Sequence, residues 1–284
     1  MSAFSAEWLR LREPVDHAAR SAALTADVMR TLPPGPVGIL DLACGTGSNL
    51  RYLRGRILYF NIEGQDCLNT RSDPYTPYTP PEWLLVDHDP ALLALVEPDP
   101  NVRTVERDLR DLDDGLFAGR ALVTASALLD LVSESWLRDL VLHCRAHAAA
   151  ALFALTYDGR LAFEPAESDD ARIRDLVNRH QMTDKGFGSA LGPSAIARAA
   201  DLFRDAGYEV RLAESDWVLR RASAPDALQE QLIDGWAEAA SEMAADRAGI
   251  IEAWRRKRRG HVASGQSVLT VGHQDLAALL RRSA

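Results

Sequence analysis

The chain has 284 residues, 47% of them hydrophobic, and a formal net charge of −9. This length and composition suit one large α/β domain with a substantial core and exclude extensive disorder. The negative charge argues against wholesale binding to nucleic acid, whose phosphates would repel it. The three cysteines, Cys44, Cys67 and Cys144, lack C-x-x-C spacing, so we predict neither a metal site nor a disulfide framework.

The hydropathy pattern predicts no targeting segment and no membrane partner. Residues 1–10 become charged before an apolar core develops. The longest apolar stretch, 148–157, has about half of the ~20 residues that span a bilayer. We therefore expect a protein of the reducing cytoplasm. The sequence leaves the oligomeric state open, with a homodimer as one option.

Strand and helix signals alternate along the chain, which predicts a doubly wound, mostly parallel α/β sheet in a single domain over 1–284. An amino-terminal helix is expected over 6–32, before a proline-rich turn. A helix over 195–206 and a long helical stretch over 226–260 carry apolar side chains at helical spacing. Seven strands are expected, near residues 37–42, 83–87, 102–106, 121–125, 149–156, 208–219 and 267–273.

The first predicted strand runs into a glycine turn. An apolar run over 38–42 contains Asp41, and Gly45 and Gly47 follow with one residue between them. Glycines directly after a buried strand let the backbone approach a nucleotide-like ligand closely before a helix begins. A dinucleotide site would need a third glycine where Leu50 stands. Asp41 would also repel a pyrophosphate but attract an ammonium group.

This turn resembles the first motif of class I S-adenosylmethionine-dependent methyltransferases. The family pattern is an acidic residue, a small apolar pair and G-x-G, here Asp41, Ala43, Gly45 and Gly47. The resemblance implies S-adenosylmethionine as the cofactor, with Asn49 also among the donor contacts. It further implies a seven-stranded sheet whose last strand runs antiparallel.

Later strand ends match the further motifs of this family in the same order. By resemblance, Asp87 accepts hydrogen bonds from both ribose hydroxyls, with His88 beside it. Asp108 meets the adenine amino group, and the backbone amide of Leu109 meets a ring nitrogen. The run ending at Ser126 passes the adenine face toward the methyl donor. Any one of these carboxylates alone is more often a helix cap, but the four motifs in the family's order favour a donor site.

The amino-terminal helix closes over the donor in many small-molecule methyltransferases. By that resemblance, Arg12 or Arg20 pairs with the methionine carboxylate, a match for the planar guanidinium fork. Simple surface charge remains the alternative for both residues.

Three segments exceed what a minimal version of this fold needs. The insertion over 55–82 is rich in turn formers and is a β-hairpin, an ordered flap or, slightly favoured, a mobile surface loop. It also places Asp87 further from the glycines than the family spacing. The segments over 158–207 and 224–263 follow late strands and are expected on the substrate side, as helical cap insertions. Core packing is the alternative for the apolar stripe of 224–263.

The function predicted is methyl transfer to a small-molecule acceptor. Asp130, Tyr157 and His180 are the candidate catalytic residues, because each side chain can hold or orient an acceptor proton. Acceptor specificity is expected in 158–193 and 226–263, with His180, Lys185 and Trp236 among the contacts. An S-adenosyl-binding enzyme with non-methyl chemistry and a catalytically silent binding protein remain alternatives.

Overall fold

The computed structural model of the protein describes residues 5–33, 36–63 and 80–280. Within these ranges eight strands form one sheet in the order β3-β2-β1-β4-β5-β8-β6, and β7 also pairs with β8. The strands are β1 (Gly38–Leu42), β2 (Glu82–Asp87), β3 (Val102–Glu106), β4 (Arg120–Ser126), β5 (Ala150–Glu164), β6 (Tyr208–Glu214), β7 (Trp217–Arg220) and β8 (Val268–Leu280).

The first five strands are mutually parallel, and β8 runs antiparallel to β5, β6 and β7. The central strands are mostly apolar and buried, as expected where helices cover both faces of a sheet. This confirms the predicted doubly wound, mostly parallel sheet. Strand β1 lies between β2 and β4, so connections leave it in both directions, and a crevice is expected at the carboxyl ends there.

Helices cover both faces of the sheet. None of those in the described ranges is long and apolar enough to cross a bilayer. The helices are α1 (Ala6–Ala19), α2 (Ala22–Thr31), α3 (Ser48–Glu63), α4 (Pro90–Leu93), α5 (Asp114–Phe117), α6 (Glu134–Ala146), α7 (Asp170–Gln181), α8 (Ala195–Asp205), α9 (Asp226–Met243) and α10 (Ala248–Ala263).

The single helix predicted over 6–32 is wrong, because the chain breaks between α1 and α2. Arg20 is extended, with φ −60° and ψ 144°. The Ser21 hydroxyl accepts a hydrogen bond from the Leu24 amide and caps α2. The Ser21 amide in turn donates to the buried Asp275 carboxylate at 2.8 Å. Both polar groups of Ser21 are therefore better satisfied at a helix start than inside a helix.

The single strand predicted over 208–219 is also wrong, because it divides into β6 and β7. Ser215 and Asp216 turn toward β8, where the Ser215 amide donates to the His273 carbonyl and the His273 amide donates to Asp216. The two short strands then pair with successive parts of β8. Strands β5 and β8 themselves run further than predicted, so the sheet extends beyond its parallel half.

The segment over 224–263 packs against the extended part of β5 and β8. This segment forms two helices, α9 and α10, because the chain leaves helical geometry at Ala244, with φ −153° and ψ 67°. Apolar side chains of both helices, such as Ile233 and Trp254, are buried in one cluster with Phe163 of β5. Of the insertion predicted over 55–82, residues 55–63 complete α3, and 64–79 lie outside the described residues.

Candidate functional site

A cavity of about 410 Å³ opens at the carboxyl edge of the sheet, where β1, β2 and β4 end. Its position follows from the strand order, because the connections after β1 and β4 leave in opposite directions. Nine residues predicted as donor contacts line it, whereas Arg20 and Gly47 do not. The nine are Asp41, Ala43, Gly45, Asn49, Asp87, His88, Asp108, Leu109 and Ser126.

The turn after β1 has a backbone that glycine favours. Ala43, Gly45 and Gly47 have φ of 52°, 54° and 82°. A Cβ added to Gly45 would meet the Leu9 side chain of α1 at 3.1 Å, so the helix packs directly on the turn. The turn is therefore narrow, and its backbone faces the cavity without side chains in between.

The Asp87 carboxylate holds this turn in place. It accepts hydrogen bonds from the Gly45 amide at 2.8 Å and from the Asp89 amide at 3.0 Å, one on each oxygen. His88 Nδ1 lies 3.3 Å from the same carboxylate. Because each oxygen can accept a second hydrogen bond, Asp87 can still bind two hydroxyl groups across the cavity.

Asp41 is fully buried at the end of β1 and is held by Asn49. The Asn49 amide donates to Asp41 Oδ1 at 2.7 Å and to the Thr124 hydroxyl at 3.1 Å. Asp41 Oδ2 is buried and has no partner among the described residues. Burial raises the pKa of Asp41 to about 7, and the charge of Asp87 acts in the same direction. This oxygen therefore favours a cationic partner from the cavity.

Arg20 stands behind this network rather than in the cavity. Its guanidinium donates to Asn49 Oδ1 at 2.6 Å and lies 3.9 Å from the centre of the Tyr52 ring. It therefore orients the Asn49 amide toward Asp41, a positioning role that differs from the predicted contact with a methionine carboxylate. Of the two predicted arginines, Arg12 is the one that lines the cavity.

Asp108 and Leu109 border the cavity beyond β3. Asp108 is exposed, and the side chain of Arg110 donates to it, which lowers the pKa of its carboxyl. Leu109 is buried, and its carbonyl accepts a hydrogen bond from the Trp136 indole at 2.6 Å. This bond fixes the backbone on which the predicted adenine contact depends.

The strand order and the site together bear on the family. The resemblance to class I methyltransferases implies that the last strand of the sheet runs antiparallel. Strand β8 is the last strand, and it lies between β5 and β6 and runs antiparallel to both. The sheet therefore has the antiparallel strand that the resemblance to class I methyltransferases implies.

Comparisons with known proteins find solved structures that are similar to this chain only at low identity. No protein-family model and no curated protein sequence matches the chain. Three similar structures are a cyclopropane synthase, MmaA2, from Mycobacterium tuberculosis, an O-methyltransferase family protein from Burkholderia thailandensis, and a phosphoethanolamine N-methyltransferase from Haemonchus contortus bound to phosphomonomethylethanolamine and S-adenosylhomocysteine.

All three structures are distant from this chain. The cyclopropane synthase is 13% identical with a TM-score of 0.47, and the match covers 96% of this chain and 94% of the synthase. The O-methyltransferase family protein is 15% identical with a TM-score of 0.43, and the match covers 93% of this chain and 56% of that protein. The N-methyltransferase is 9% identical with a TM-score of 0.42, and the match covers 99% of this chain and 61% of that enzyme. Similarities of this size carry no functional argument, which rests on the site alone.

Helix α1 and one loop form the roof of the cavity. Leu9, Arg12 and Asp16 line it from α1, and the Arg12 guanidinium donates to Asp16 at 2.9 and 3.2 Å. Gly186 and Phe187 line it from the loop after α7. The predicted segment over 158–207 therefore contributes to the site. No described residue of 224–263 lines the cavity.

The three candidate catalytic residues lie in different surroundings in the structure. Asp130 lies in the turn between Leu128 and Leu131, both of which line the cavity, and its Oδ1 is buried without a partner among the described residues. Burial raises the pKa of Asp130 to about 6, although the charge of Arg12 acts against this rise. Asp130 itself does not line the cavity, but its neighbours in the turn do, and its unpartnered oxygen lies close behind them.

The other two candidates point elsewhere. The Tyr157 hydroxyl donates to Asn178 at 2.7 Å, and burial raises the pKa of Tyr157. His180 hydrogen-bonds to Glu242 at 3.0 Å and lies 3.3 Å from the Lys185 ammonium. Neither Tyr157 nor His180 lines the cavity. The prediction that both contact the acceptor is not supported by their positions, because local partners already use their polar atoms.

Two residues of interest were missed at the level of sequence. His273 of β8 is buried, and burial lowers its pKa to about 3, so its imidazole is neutral at pH 7. Trp217 of β7 lies beside it, with ring centres 5.0 Å apart. Both belong to strands whose pairing depends on the whole sheet, and neither stands in a motif. No signal in the sequence pointed to them.

Three residues lie close enough together to hold a metal ion, although the sequence predicts no metal site. Asp114, His143 and His147 lie together on the outer surface near α5 and α6, and both imidazoles hydrogen-bond to the Asp114 carboxylate. The two rings also stack on Phe117. These residues do not line the cavity, so they take no part in the site described above.

Proposed function

We propose that the protein transfers the methyl group of S-adenosylmethionine to a small-molecule acceptor. The observation that carries this proposal is the pair of buried carboxylates, Asp41 and Asp87, on either side of the glycine turn. Asp41 offers an unpartnered buried oxygen, and Asp87 keeps two free acceptor positions. A ligand that presents an ammonium group and two neighbouring hydroxyls satisfies both.

The residues present fit three parts of this cofactor, namely its ammonium group, its ribose and its adenine. Asp41 would hold the ammonium group and Asp87 the ribose hydroxyls. Asp108 and the backbone of Leu109 would border the adenine. The narrow turn at Gly45 would let the ligand lie close to the protein backbone. A nicotinamide dinucleotide fits less well, because its pyrophosphate would face Asp41.

The chemistry asks little covalent work of the protein. When bound, S-adenosylmethionine supplies an electrophilic methyl carbon, so the protein must align an acceptor lone pair with it and exclude water. Leu9 and Phe187, which line the cavity from its roof, would shield a bound acceptor from water on that side. Asp130 holds an unpartnered oxygen beside the cavity, where it can take a proton from the acceptor. The compartment proposed is the cytoplasm, and neither nucleic acid nor a membrane is a proposed partner.

Ligand binding tests this function directly. S-adenosylmethionine and S-adenosylhomocysteine should bind in a calorimetric titration and raise the melting temperature by several degrees at ligand concentrations ~100-fold above the Kd, by mass action. NAD at the same concentration should produce neither heat nor a shift. Tight binding of NAD together with no binding of either S-adenosyl ligand would overturn the proposal.

A further inference from the structure

The cavity extends beneath α1. Leu9, Leu131 and Phe187 give this end apolar walls, and Arg12 brings a charge. None of these four residues belongs to the strand-end motifs assigned to the donor, although the resemblance also names Arg12 as a partner for the methionine carboxylate. Phe187 is fixed in place because its ring meets Trp136 edge to face, with centres 5.5 Å apart. This end of the cavity is therefore a preformed site for a second, mainly apolar molecule.

Arg12 separates this end of the cavity from a group of buried aromatic rings. Its guanidinium carbon lies 5.0 Å from the centre of the Trp217 ring while its side chain also lines the cavity. His273 lies next to Trp217, and Tyr157 of β5 is the cross-strand partner of His273. A shift of the Arg12 side chain would join the cavity to these rings.

Polar atoms around Arg12 are buried without partners among the described residues. They are Trp8 Nε1, Asp130 Oδ1, Trp217 Nε1 and His273 Nδ1. Buried polar groups without partners are rare in folded proteins and call for an explanation such as an unseen ligand or water. None of these four residues lines the cavity, so water, or a molecule that enters when the Arg12 side chain shifts, would have to satisfy them.

The types of these atoms restrict the chemistry of that molecule. An indole N–H can only donate a hydrogen bond, and an ionised carboxylate can only accept one. The ligand must therefore carry both a hydrogen-bond donor, for Asp130, and an oxygen acceptor, for Trp217. The surrounding rings favour a flat aromatic partner, since aromatic pairs stack or meet edge to face.

We propose that the acceptor is a planar aromatic molecule with a reactive hydroxyl and a second oxygen, bound beneath α1. Phe187 and Arg12 flank its ring, and Asp130 receives the hydroxyl proton. Trp217 and His273 bind the second oxygen. This proposal rests on the proposed methyl transfer and names its substrate class.

The reaction balances with the groups named. The acceptor hydroxyl gives its proton to Asp130 Oδ1, and its oxygen forms the new bond to the methyl carbon. The bond that breaks joins that carbon to sulfur, which keeps the electron pair. The products are an aryl methyl ether, S-adenosylhomocysteine and a protonated Asp130.

Catechol is the probe that tests the binding step, with S-adenosylhomocysteine present to fill the donor site. Calorimetry should show catechol binding, and cyclohexane-1,2-diol, which is not planar, should bind at least fivefold more weakly. Trp217→Phe keeps an aromatic ring but loses the N–H, so catechol should bind it at least fivefold more weakly. Trp83→Phe is the matched control, a buried tryptophan of β2 remote from Arg12, and should leave catechol affinity unchanged.

Asp130→Asn separates binding from proton transfer. Asparagine can still accept a hydrogen bond, so catechol affinity should stay within about threefold, whereas the rate of methylation of catechol should fall at least tenfold. Far-UV circular dichroism and melting temperature identify a variant that has failed to fold, in which case His273→Gln replaces Trp217→Phe in the comparison.

The outcomes distinguish this proposal from the proposed function. Equal catechol affinity in Trp217→Phe and Trp83→Phe, or equal binding of catechol and cyclohexane-1,2-diol, overturns the acceptor proposal. So does binding of S-adenosylhomocysteine with no binding of catechol, which leaves methyl transfer to another acceptor intact. Absence of S-adenosylhomocysteine binding to the wild-type protein overturns the proposed function itself.

Discussion

Replacing Asp87 by alanine should weaken S-adenosylhomocysteine binding by about 1–3 kcal/mol, or roughly 5- to 150-fold. Two losses add up in this variant. The ribose hydroxyls lose a charged acceptor. The amides of Gly45 and Asp89 also lose the carboxylate that fixes the turn after β1. Calorimetric titration of the variant against the wild-type protein measures the change.

Asp108→Ala is the comparison variant for this prediction. Asp108 lines the same cavity but is exposed and already paired with Arg110, so its loss should cost less than that of Asp87. Unchanged affinity in Asp87→Ala would contradict the assignment of the ribose contact. Asp89, which also lines the cavity, would then be the acid to test next.

Asp41→Asn should separate ligand binding from stability. The ammonium group of the ligand loses a buried charged partner, so S-adenosylhomocysteine should bind roughly tenfold or more weakly. The unliganded variant should gain stability relative to the wild type as the pH rises, because asparagine carries no charge that burial penalises.

The sign of this pH effect follows from the raised pKa. The pKa of a free aspartate is about 3.9. Burial raises the pKa of Asp41 to about 7, with Asn49 and Arg20 acting against the rise and Asp87 adding to it. Between these values the folded protein keeps a proton that the unfolded chain has released. The stability from protonated Asp41 is therefore complete below about pH 4 and is lost as the pH rises to about 7.

Denaturant unfolding of both proteins at pH 5 and pH 8 measures this difference. The free energy of unfolding of Asp41→Asn, relative to the wild type, should rise by roughly 2 kcal/mol over that interval. Asp130 also titrates with a raised pKa, but it is present in both proteins and cancels. A relative stability that is flat or falls with pH would show that Asp41 is ionised in the unliganded fold.

The gathering of the proposed donor contacts at one cavity was predictable because it follows from topology. Asp41, Asp87 and Asp108 each lie at or just after the end of a strand, and parallel strands bring their carboxyl ends to one edge. The spacing of Gly45 and Gly47 marks the turn that faces the cavity. Local sequence and a general rule of sheet construction therefore suffice for these residues.

The acceptor half was not predictable in the same way. His180 and Tyr157 have suitable side chains, but Glu242 and Asn178, which come from distant parts of the chain, take up their polar atoms. His273 acquires its environment only through the pairing of β8. Which polar atom stays unpartnered depends on tertiary packing, and sequence patterns carry no record of it.

The position of β8 has a consequence for how the protein folds. β8 lies between β5 and β6, so β5 must wait for a strand more than one hundred residues later in the chain before its second edge is paired. Pairings across such long sequence separations slow folding, because the intervening loop must close first. Until then the unpaired backbone groups along the edge of the apolar strand β5 are open to pairing with other chains. Slow refolding and aggregation at high protein concentration are the expected result, even though the first five strands can assemble early.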